Sequence, residues 1–407
     1  MPSSFLKPKT VRILSLDGGG SRGYFSAKFL KKFCDSWGIN PNELFNHFDI
    51  ICGASTGGIL ALAYAYGLSP ENMCTFYREK TPWIFTIRTA AEKIIGSHTA
   101  GTPSNRPNLA QKLIMIAEND PFYKAAYNDS NYGDVRLASE ATEIFGETKL
   151  TDLTVPVLLT SYDATNETPI MFSNVDHRDY LRDNITCVDA MMATAAAPVY
   201  LPKRSITNPI TEETAEYIDG GIFQLNVTAL GYATARRLHP YANRYCILSI
   251  GTGLNQIGFS PADATRLMTL ESDVKKLVND VKIGGETSEQ TEEKLNSILL
   301  NQSNLKSGGT GELSSVGDEV KELIGLIDRE MTSGQLAIHK FFQMLSSVED
   351  INLFYYRFDA QLDLNRDTEM DNSTSDFFDY LDDVVNAKYQ EDAEEIGTFI
   401  GRLVDGD

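Results

Sequence analysis

Histidine is scarce in this sequence. Five of 407 residues are histidine, at positions 47, 98, 177, 239 and 339, and none sits in a recognisable motif after a strand-like run. His47 and His239 read as surface or capping residues. Activation of a nucleophile by histidine therefore has no evident carrier. Cysteine is equally sparse. Cys34, Cys52, Cys74, Cys187 and Cys246 are odd in number, scattered, mostly inside apolar runs, and without metal-ligand spacing. This excludes a disulfide framework and predicts a reduced, intracellular setting. Positive charge is short as well: 36 Lys and Arg stand against 56 Asp and Glu, a net charge of −20 with an isoelectric point near 4.7. A chain this acidic is repelled by phosphate backbones and anionic lipid surfaces, which argues against nucleic acid as a partner. No apolar run approaches the ~18 residues of a membrane-spanning helix. Residues 1–10 hold no apolar stretch of signal-peptide length. The expectation is a soluble, cytoplasmic protein that meets membranes peripherally; export would need a route without a cleaved signal.

Apolar residues make up 42% of the chain, enough for a large core or for two domains. Residues 11–16 (Val-Arg-Ile-Leu-Ser-Leu), 49–52, 154–161 and 244–250 read as strands. Pro156 places the third of these at an early strand position. Helical patterns cover 24–34, 59–66, 109–117, 135–145 and 185–195. Another opens at Ser69-Pro70-Glu71, with serine as N-cap, proline at the first helical position and an acid in the first turn. Strands alternating with helices predict right-handed βαβ units and a mostly parallel central sheet. From about residue 261 the chain turns polar and helical. Leu270, Val274, Leu277, Val278 and Val281 recur at helical spacing, as do Phe377, Leu381, Val384, Val385 and Lys388. The glycine- and serine-rich run at 301–317 predicts a mobile loop. The division expected is a catalytic domain over 9–260 and a mainly helical C-terminal region over 261–407.

Three stretches carry chemistry. The first is Gly53-Ala54-Ser55-Thr56-Gly57, where an apolar strand runs into a sharp turn and a helix leaves it. Such a turn presents the Ser55 hydroxyl at the carboxyl end of the sheet, beside a helix N-terminus that favours developing negative charge. The second is Gly18-Gly19-Gly20-Ser21-Arg22-Gly23, directly after the first strand. Three glycines there let backbone N–H groups face one point and bind an anion or an oxyanion. The string also fits the dinucleotide fingerprint. That reading needs an acid at the end of the next strand, where this chain has Cys52-Gly53 and the serine turn. A Walker loop is excluded because no Gly-Lys-Ser/Thr follows. The third is Asp219-Gly220-Gly221. A serine nucleophile needs a base, and a partly desolvated carboxylate is a workable one.

In this order, Asp17-Gly18-Gly19-Gly20-Ser21-Arg22-Gly23, Gly53-Ala54-Ser55-Thr56-Gly57 and Asp219-Gly220-Gly221 resemble the motifs of the patatin-like phospholipase family. The stretches 146–153, 193–198, 250–253 and Phe354-Tyr355-Tyr356-Arg357 are similar to that family too. The resemblance implies a three-layer α/β/α sandwich with a helical C-terminal extension. It implies Ser55 as nucleophile, Asp219 as base, an oxyanion hole from the N–H groups of Gly18, Gly19, Gly20 and Thr56, and Arg22 as loop support or phosphate contact. It implies no cofactor and no metal, a phospholipid substrate at a membrane surface, and cleavage of fatty-acyl esters through an acyl-enzyme. A neutral-lipid or broad acyl hydrolase, or an acyltransferase, fits the same residues; a silent lipid-binding module is the reading outside catalysis. An activating protein or small-molecule signal is compatible with it, and the oligomeric state is not specified. Two places depart from the family pattern: Ser21, where an apolar residue is more usual, and Ile222-Phe223-Gln224-Leu225-Asn226-Val227 after the third motif, where Asn-Pro is more typical. The segment 81–95, with Trp83, Ile84, Phe85, Ile87, Ile94 and Ile95, is the candidate for lipid contact, core packing being the alternative.

Overall fold

Strand β1 (Thr10–Leu16) lies between β2 (Ile50–Ala54) and β7 (Arg244–Ile250), parallel to both. The computed structural model describes residues 10–85, 132–175, 185–254, 334–347 and 352–404, except 199, 209, 210, 243 and 364. Strand β2 is followed by β3 (Val157–Asp163), whose edge facing β2 pairs further along with β6 (Thr214–Asp219), and β6 pairs in turn with β5 (Arg204–Thr207); beyond β7 comes β8 (Leu353–Phe358). Strand β4 (Thr168–Ser173) also pairs with β3. The strands from β3 to β8 through β2, β1 and β7 are mutually parallel, while β4 and β6 run antiparallel to β3 and β5 antiparallel to β6.

Helices cover both faces of the sheet, which is why the central strands read as near-continuous apolar runs. Alternate residues of β1 enter different cores. Leu14 and Leu16 pack with α1 (Gly23–Trp37), α2 (Thr56–Tyr66), α3 (Pro70–Ile84), α4 (Val135–Phe145) and α5 (Cys187–Thr194). Val11 and Ile13 pack with α6 (Thr228–Leu238) and with Phe342 of helix α7 (334–346). The last helices, α8 (Ser375–Glu391) and α9 (Ala393–Val404), join the first of these cores. This is the α/β/α sandwich expected, with a mixed rather than purely parallel sheet.

Local signals in the sequence explain several boundaries. Ser69 caps α3: its hydroxyl accepts the Asn72 N–H at 3.1 Å, and the Asn72 side chain accepts the Ser69 N–H at 3.0 Å. Strand β3 starts immediately after Pro156, which cannot donate to a ladder but whose carbonyl accepts the Ile51 N–H at 2.9 Å. The sheet does not end at residue 260. Strand β8, from the region read as mainly helical, pairs with β7 over six residues. Its sequence, Leu-Phe-Tyr-Tyr-Arg-Phe, is dense in residues that favour strands. Phe358 at its end stacks on Phe29 of α1 with ring centroids 3.9 Å apart. The helical readings at 109–117 and 270–281 and the loop at 301–317 lie outside the described residues.

Phe358 is fully buried against Phe25 and Phe29. Phe358→Ala is expected to cost about 3–5 kcal/mol through the cavity it leaves. Urea unfolding followed by fluorescence and by circular dichroism should give one coincident, shifted transition. Two separated transitions would show that β8 is not part of the same cooperative unit as β1.

Candidate active site

The site is assembled along one edge of β3. Ala54, the last residue of β2, pairs with Thr160, and the next residue of β3, Ser161, pairs with Asp219, the last of β6. Strand β4 occupies the other edge of β3 from Leu158 to Asp163. Strands β2 and β6 therefore meet end to end on the same edge, and their final residues converge. The Ser55 hydroxyl faces the Asp219 carboxyl across this joint, near enough to lower its pKa.

Ser55 has φ 55° and ψ −125°, a conformation costly for any residue with a Cβ. Its surroundings hold it there. The Ser55 N–H donates to Thr194 Oγ1 at 3.1 Å, and that hydroxyl donates to the Thr160 carbonyl at 2.7 Å. The Ser55 carbonyl accepts the Ile59 N–H as α2 begins. Gly57 is dictated by close approach: a Cβ there would lie 2.1 Å from the Leu16 carbonyl oxygen. The stretch that supplies Thr194 also secures the acid, because the Ala196 carbonyl accepts the Asp219 N–H at 3.0 Å.

Asp219 is 3% exposed. Burial pushes its carboxyl up to about 7; hydrogen bonds from Ser55 and from the Gly221 N–H, at 2.6 Å, pull it back only partly. A carboxyl poised near neutrality both takes and returns a proton. Among the described residues no histidine contributes to its electrostatics. His339 is tied to the Tyr355 hydroxyl at 3.1 Å, and His98 and His177 lie outside the described residues.

The glycine loop lies against the serine. A Cβ on Gly18 would come within 3.1 Å of Ser55 Cβ. The Gly18 N–H makes a long bond to the Leu225 carbonyl at 3.4 Å, which competes with an oxyanion for that donor. The N–H groups of Gly19, Gly20 and Thr56 have no partner among the described residues. Thr56 opens α2, where the helix dipole adds to its N–H. Arg22 is buried and its Nε donates to the Gly19 carbonyl at 3.4 Å, a support for the loop. Ser21, the residue that departs from pattern, is buried and its N–H donates to the Met370 carbonyl at 2.7 Å. Among the described residues no cluster of His, Cys, Asp or Glu could hold a metal ion.

The apolar segment that begins at residue 81 splits. Trp83 is 55% exposed beneath the Arg136 guanidinium, whereas Ile84 is 3% exposed and Phe85 packs edge-on against Tyr132. Residues 86–95 lie outside the described residues. Helical geometry explains the split, since consecutive residues face about 100° apart. Two exposed apolar side chains in the stretch that departs from the family pattern, Ile222 at 46% and Phe223 at 38%, follow Asp219 by three and four residues; the sequence alone assigned them no lipid-contact role. Thr194 was also missed as a site residue, although its Ala-Thr-Ala-Ala-Ala-Pro stretch had been singled out.

A family model described as patatin-like phospholipase matches residues 14–230, just over half of the chain. A cGAMP-activated phospholipase of Vibrio cholerae is 28% identical over 230 residues, covering 54% of this chain and 56% of the relative. Patatin-like protein 2 of Arabidopsis thaliana is 28% identical over 282 residues, covering 62% and 63%. The chain thus spans about three-fifths of these relatives at most. Among solved structures, VipD from Legionella pneumophila aligns over 94% of this chain and 67% of its own, at 10% identity and a TM-score of 0.33. Human GIVD cytosolic phospholipase A2 aligns over 65% and 47%, at 12% identity and a TM-score of 0.32.

Folding raises the Asp219 carboxyl from 3.8 to about 7, so the folded state favours the protonated acid. That contribution to stability is complete below about pH 4 and is lost as pH rises through 7, at about 1.4 kcal/mol per pH unit. Asp219→Asn, uncharged and of the same shape, is expected to exceed the parent in stability by more at pH 8 than at pH 4.5 in urea unfolding. A difference that does not change with pH would rule out a buried carboxylate at this position.

Proposed function

The chain belongs to the patatin-like phospholipase family, and from that premise we propose that it hydrolyses fatty-acyl esters of glycerophospholipids through a Ser55–Asp219 dyad. The observation that supports this reading is the convergence of the Ser55 turn and the buried Asp219 carboxyl where β2 and β6 meet on β3, with the serine hydroxyl near enough to lower the carboxyl's pKa and no histidine among the described residues acting on it. As Ser55 Oγ attacks the acyl carbonyl, its proton passes to Asp219. The oxyanion is received by the N–H groups of Gly19, Gly20 and Thr56. Asp219 then returns the proton to the departing lysolipid oxygen, leaving the acyl chain esterified to Ser55. Water attacks this ester, gives its proton to Asp219, and the fatty acid leaves as the proton returns to Ser55. Charge is handled by backbone dipoles and one carboxylate, so the scheme needs no metal. Residues 9–260 supply the reacting groups, and the chain beyond them supplies β8 to the sheet.

A head group plays no part in this chemistry, which favours A-type phospholipase or lysophospholipase action over strict head-group recognition. A broad acyl hydrolase or acyltransferase would use the same residues; mass spectrometry of products from phospholipid and from triacylglycerol separates them. Three relatives, the Vibrio cholerae protein among them, are named for activation by cGAMP, which supports a small-molecule activator here, an activating protein being the other form of control. A net charge of −20 opposes electrostatic docking on anionic bilayers, so peripheral membrane contact is assigned to apolar side chains.

Ser55→Ala is expected to abolish turnover of a soluble short-chain ester and labelling by a fluorophosphonate while leaving the fold intact. Asp219→Asn should be nearly as damaging, and the acid limb of the parent's kcat/KM profile should rise with an apparent pKa near 7 as the base ionises. Gly19→Ala should lose about 10²–10³ in kcat, because a Cβ there would lie 2.2 Å from Thr252 Oγ1 and displace the loop. A His→Ala variant that matched the loss in Asp219→Asn would overturn the dyad. For membrane contact, Ile222→Ser with Phe223→Ser should reduce activity on phosphatidylcholine vesicles and spare the soluble ester. Equal loss on both substrates would assign these side chains to packing.

A further inference from the structure

The first residue of the glycine loop, Asp17, is 0% exposed, and its carboxylate meets a guanidinium that arrives from 340 residues away. Arg357 of β8 places one terminal nitrogen 2.7 Å from Asp17 Oδ2 and 2.6 Å from Asp359 Oδ2. Its other terminal nitrogen donates to Ser249 Oγ of β7 at 2.9 Å. The fork of one arginine thus joins the ends of β1, β7 and β8, which lysine's single ammonium could not match in direction. We propose that Arg357 is a positioning residue for the ester hydrolysis: through Asp17 it fixes the glycine loop so that the Gly19 and Gly20 N–H groups face the oxyanion. The inference rests on the reading of the site given above and adds a residue 127 positions beyond the end of the family match.

The loop is pinned from the same side by further bonds. The Asp17 N–H donates to the Ile250 carbonyl at 3.0 Å, and Thr252 Oγ1 donates to the Gly18 carbonyl at 2.9 Å. Asp359, the second carboxylate on Arg357, accepts the N–H groups of Gly253 and Ala360, each at 3.0 Å. Gly251 leaves room for that carboxylate, since a Cβ on it would fall 2.0 Å from Asp359 Oδ2. The cluster therefore runs from Asp17 through Arg357 and Asp359 to the 251–253 turn, and that turn holds the loop again through Thr252.

Stability alone is a poor reason for such a cluster. Two carboxylates share one guanidinium, Asp17 Oδ1 has no partner among the described residues, and all three side chains are withdrawn from water. Buried ion clusters of this kind are commonly no more stabilising than apolar residues of the same volume. What they impose is one geometry. Burial drives the Asp17 carboxyl up to about 7, and the guanidinium opposes that rise only in part. Without Arg357 the Asp17 side chain becomes a neutral acid with no directional anchor, and the loop is left to the backbone bonds. A displacement of about 1 Å at a catalytic group is enough to cost on the order of 10² in rate.

The test compares Arg357→Met and Arg357→Lys in the full chain, with the soluble short-chain ester as substrate, Tm as a check on folding, and fluorophosphonate titration to count competent sites. Arg357→Met is expected to lower kcat about 10- to 100-fold per labelled site with KM within about twofold of the parent. Arg357→Lys should fall between the two. A purely structural role would instead reduce the number of labelled sites and leave turnover per site unchanged, and that result overturns the proposal. If Arg357→Met does not fold, Arg357→Lys decides: a several-fold loss in kcat at constant KM supports the positioning role, and parental kcat overturns it. Ser55→Ala in the same assay keeps the two readings apart. Turnover surviving in Ser55→Ala overturns the site assignment itself, whereas an inactive Ser55→Ala beside a fully active Arg357→Met overturns the role of Arg357 alone.

Discussion

One edge of β3 is shared by two strands running in opposite directions, and the rest of the site depends on that arrangement. β2 comes in parallel and stops at Ala54; β6 comes in antiparallel and stops at Asp219. Ladder hydrogen bonds fix both strands to one register, so the serine after β2 and the acid ending β6 are brought together by backbone geometry. The side chains then need little freedom to find each other. Thr194 and the Ala196 carbonyl hold the two arms of the joint from one short segment.

The arrangement carries a cost that the fold bears elsewhere. Asp17 and Asp219 are buried carboxyls, each pushed up to about 7, and Ser55 sits in a strained conformation. Each of these opposes folding by an amount on the order of kilocalories per mole. The two apolar layers that enclose the sheet offset it. Sites of this kind are where stability and activity are in tension: substitutions that relax Ser55 or neutralise Asp219 would settle the fold and remove its chemistry.

Much of this was legible in the sequence, for identifiable reasons. The parallel strands are buried on both faces and read as continuous apolar runs; β7 was delimited to the residue. The serine turn, the glycine loop and the acid stood out because each demands particular residue types at short spacing. Strands β4 and β5 were illegible: they are short, antiparallel and largely exposed, so they have neither an apolar run nor a clean alternation. Strand β8 was hidden by its setting in a polar, helical stretch. The long bond from the Gly18 N–H to the Leu225 carbonyl could not be foreseen, because it spans 207 residues. Thr194 and Arg357 had been noticed only as parts of familiar stretches. What each of them touches is decided by which strand ends are neighbours, and that is a property of topology rather than of local sequence.

The distance in sequence between Asp17 and Arg357 has a consequence for how the chain is made. Synthesis proceeds from the N-terminus, so the serine, the glycine loop and the acid have all left the ribosome before β8 exists. At roughly 5–20 residues per second, translation needs on the order of ten seconds to travel from Asp219 to Arg357. Through that interval Asp17 has no guanidinium to meet and β7 has an unpaired edge where β8 will lie. On the positioning role proposed for Arg357, the nascent chain holds its glycine loop without the group that aligns it. The alignment proposed for the glycine loop therefore waits until β8 has been translated and has paired with β7.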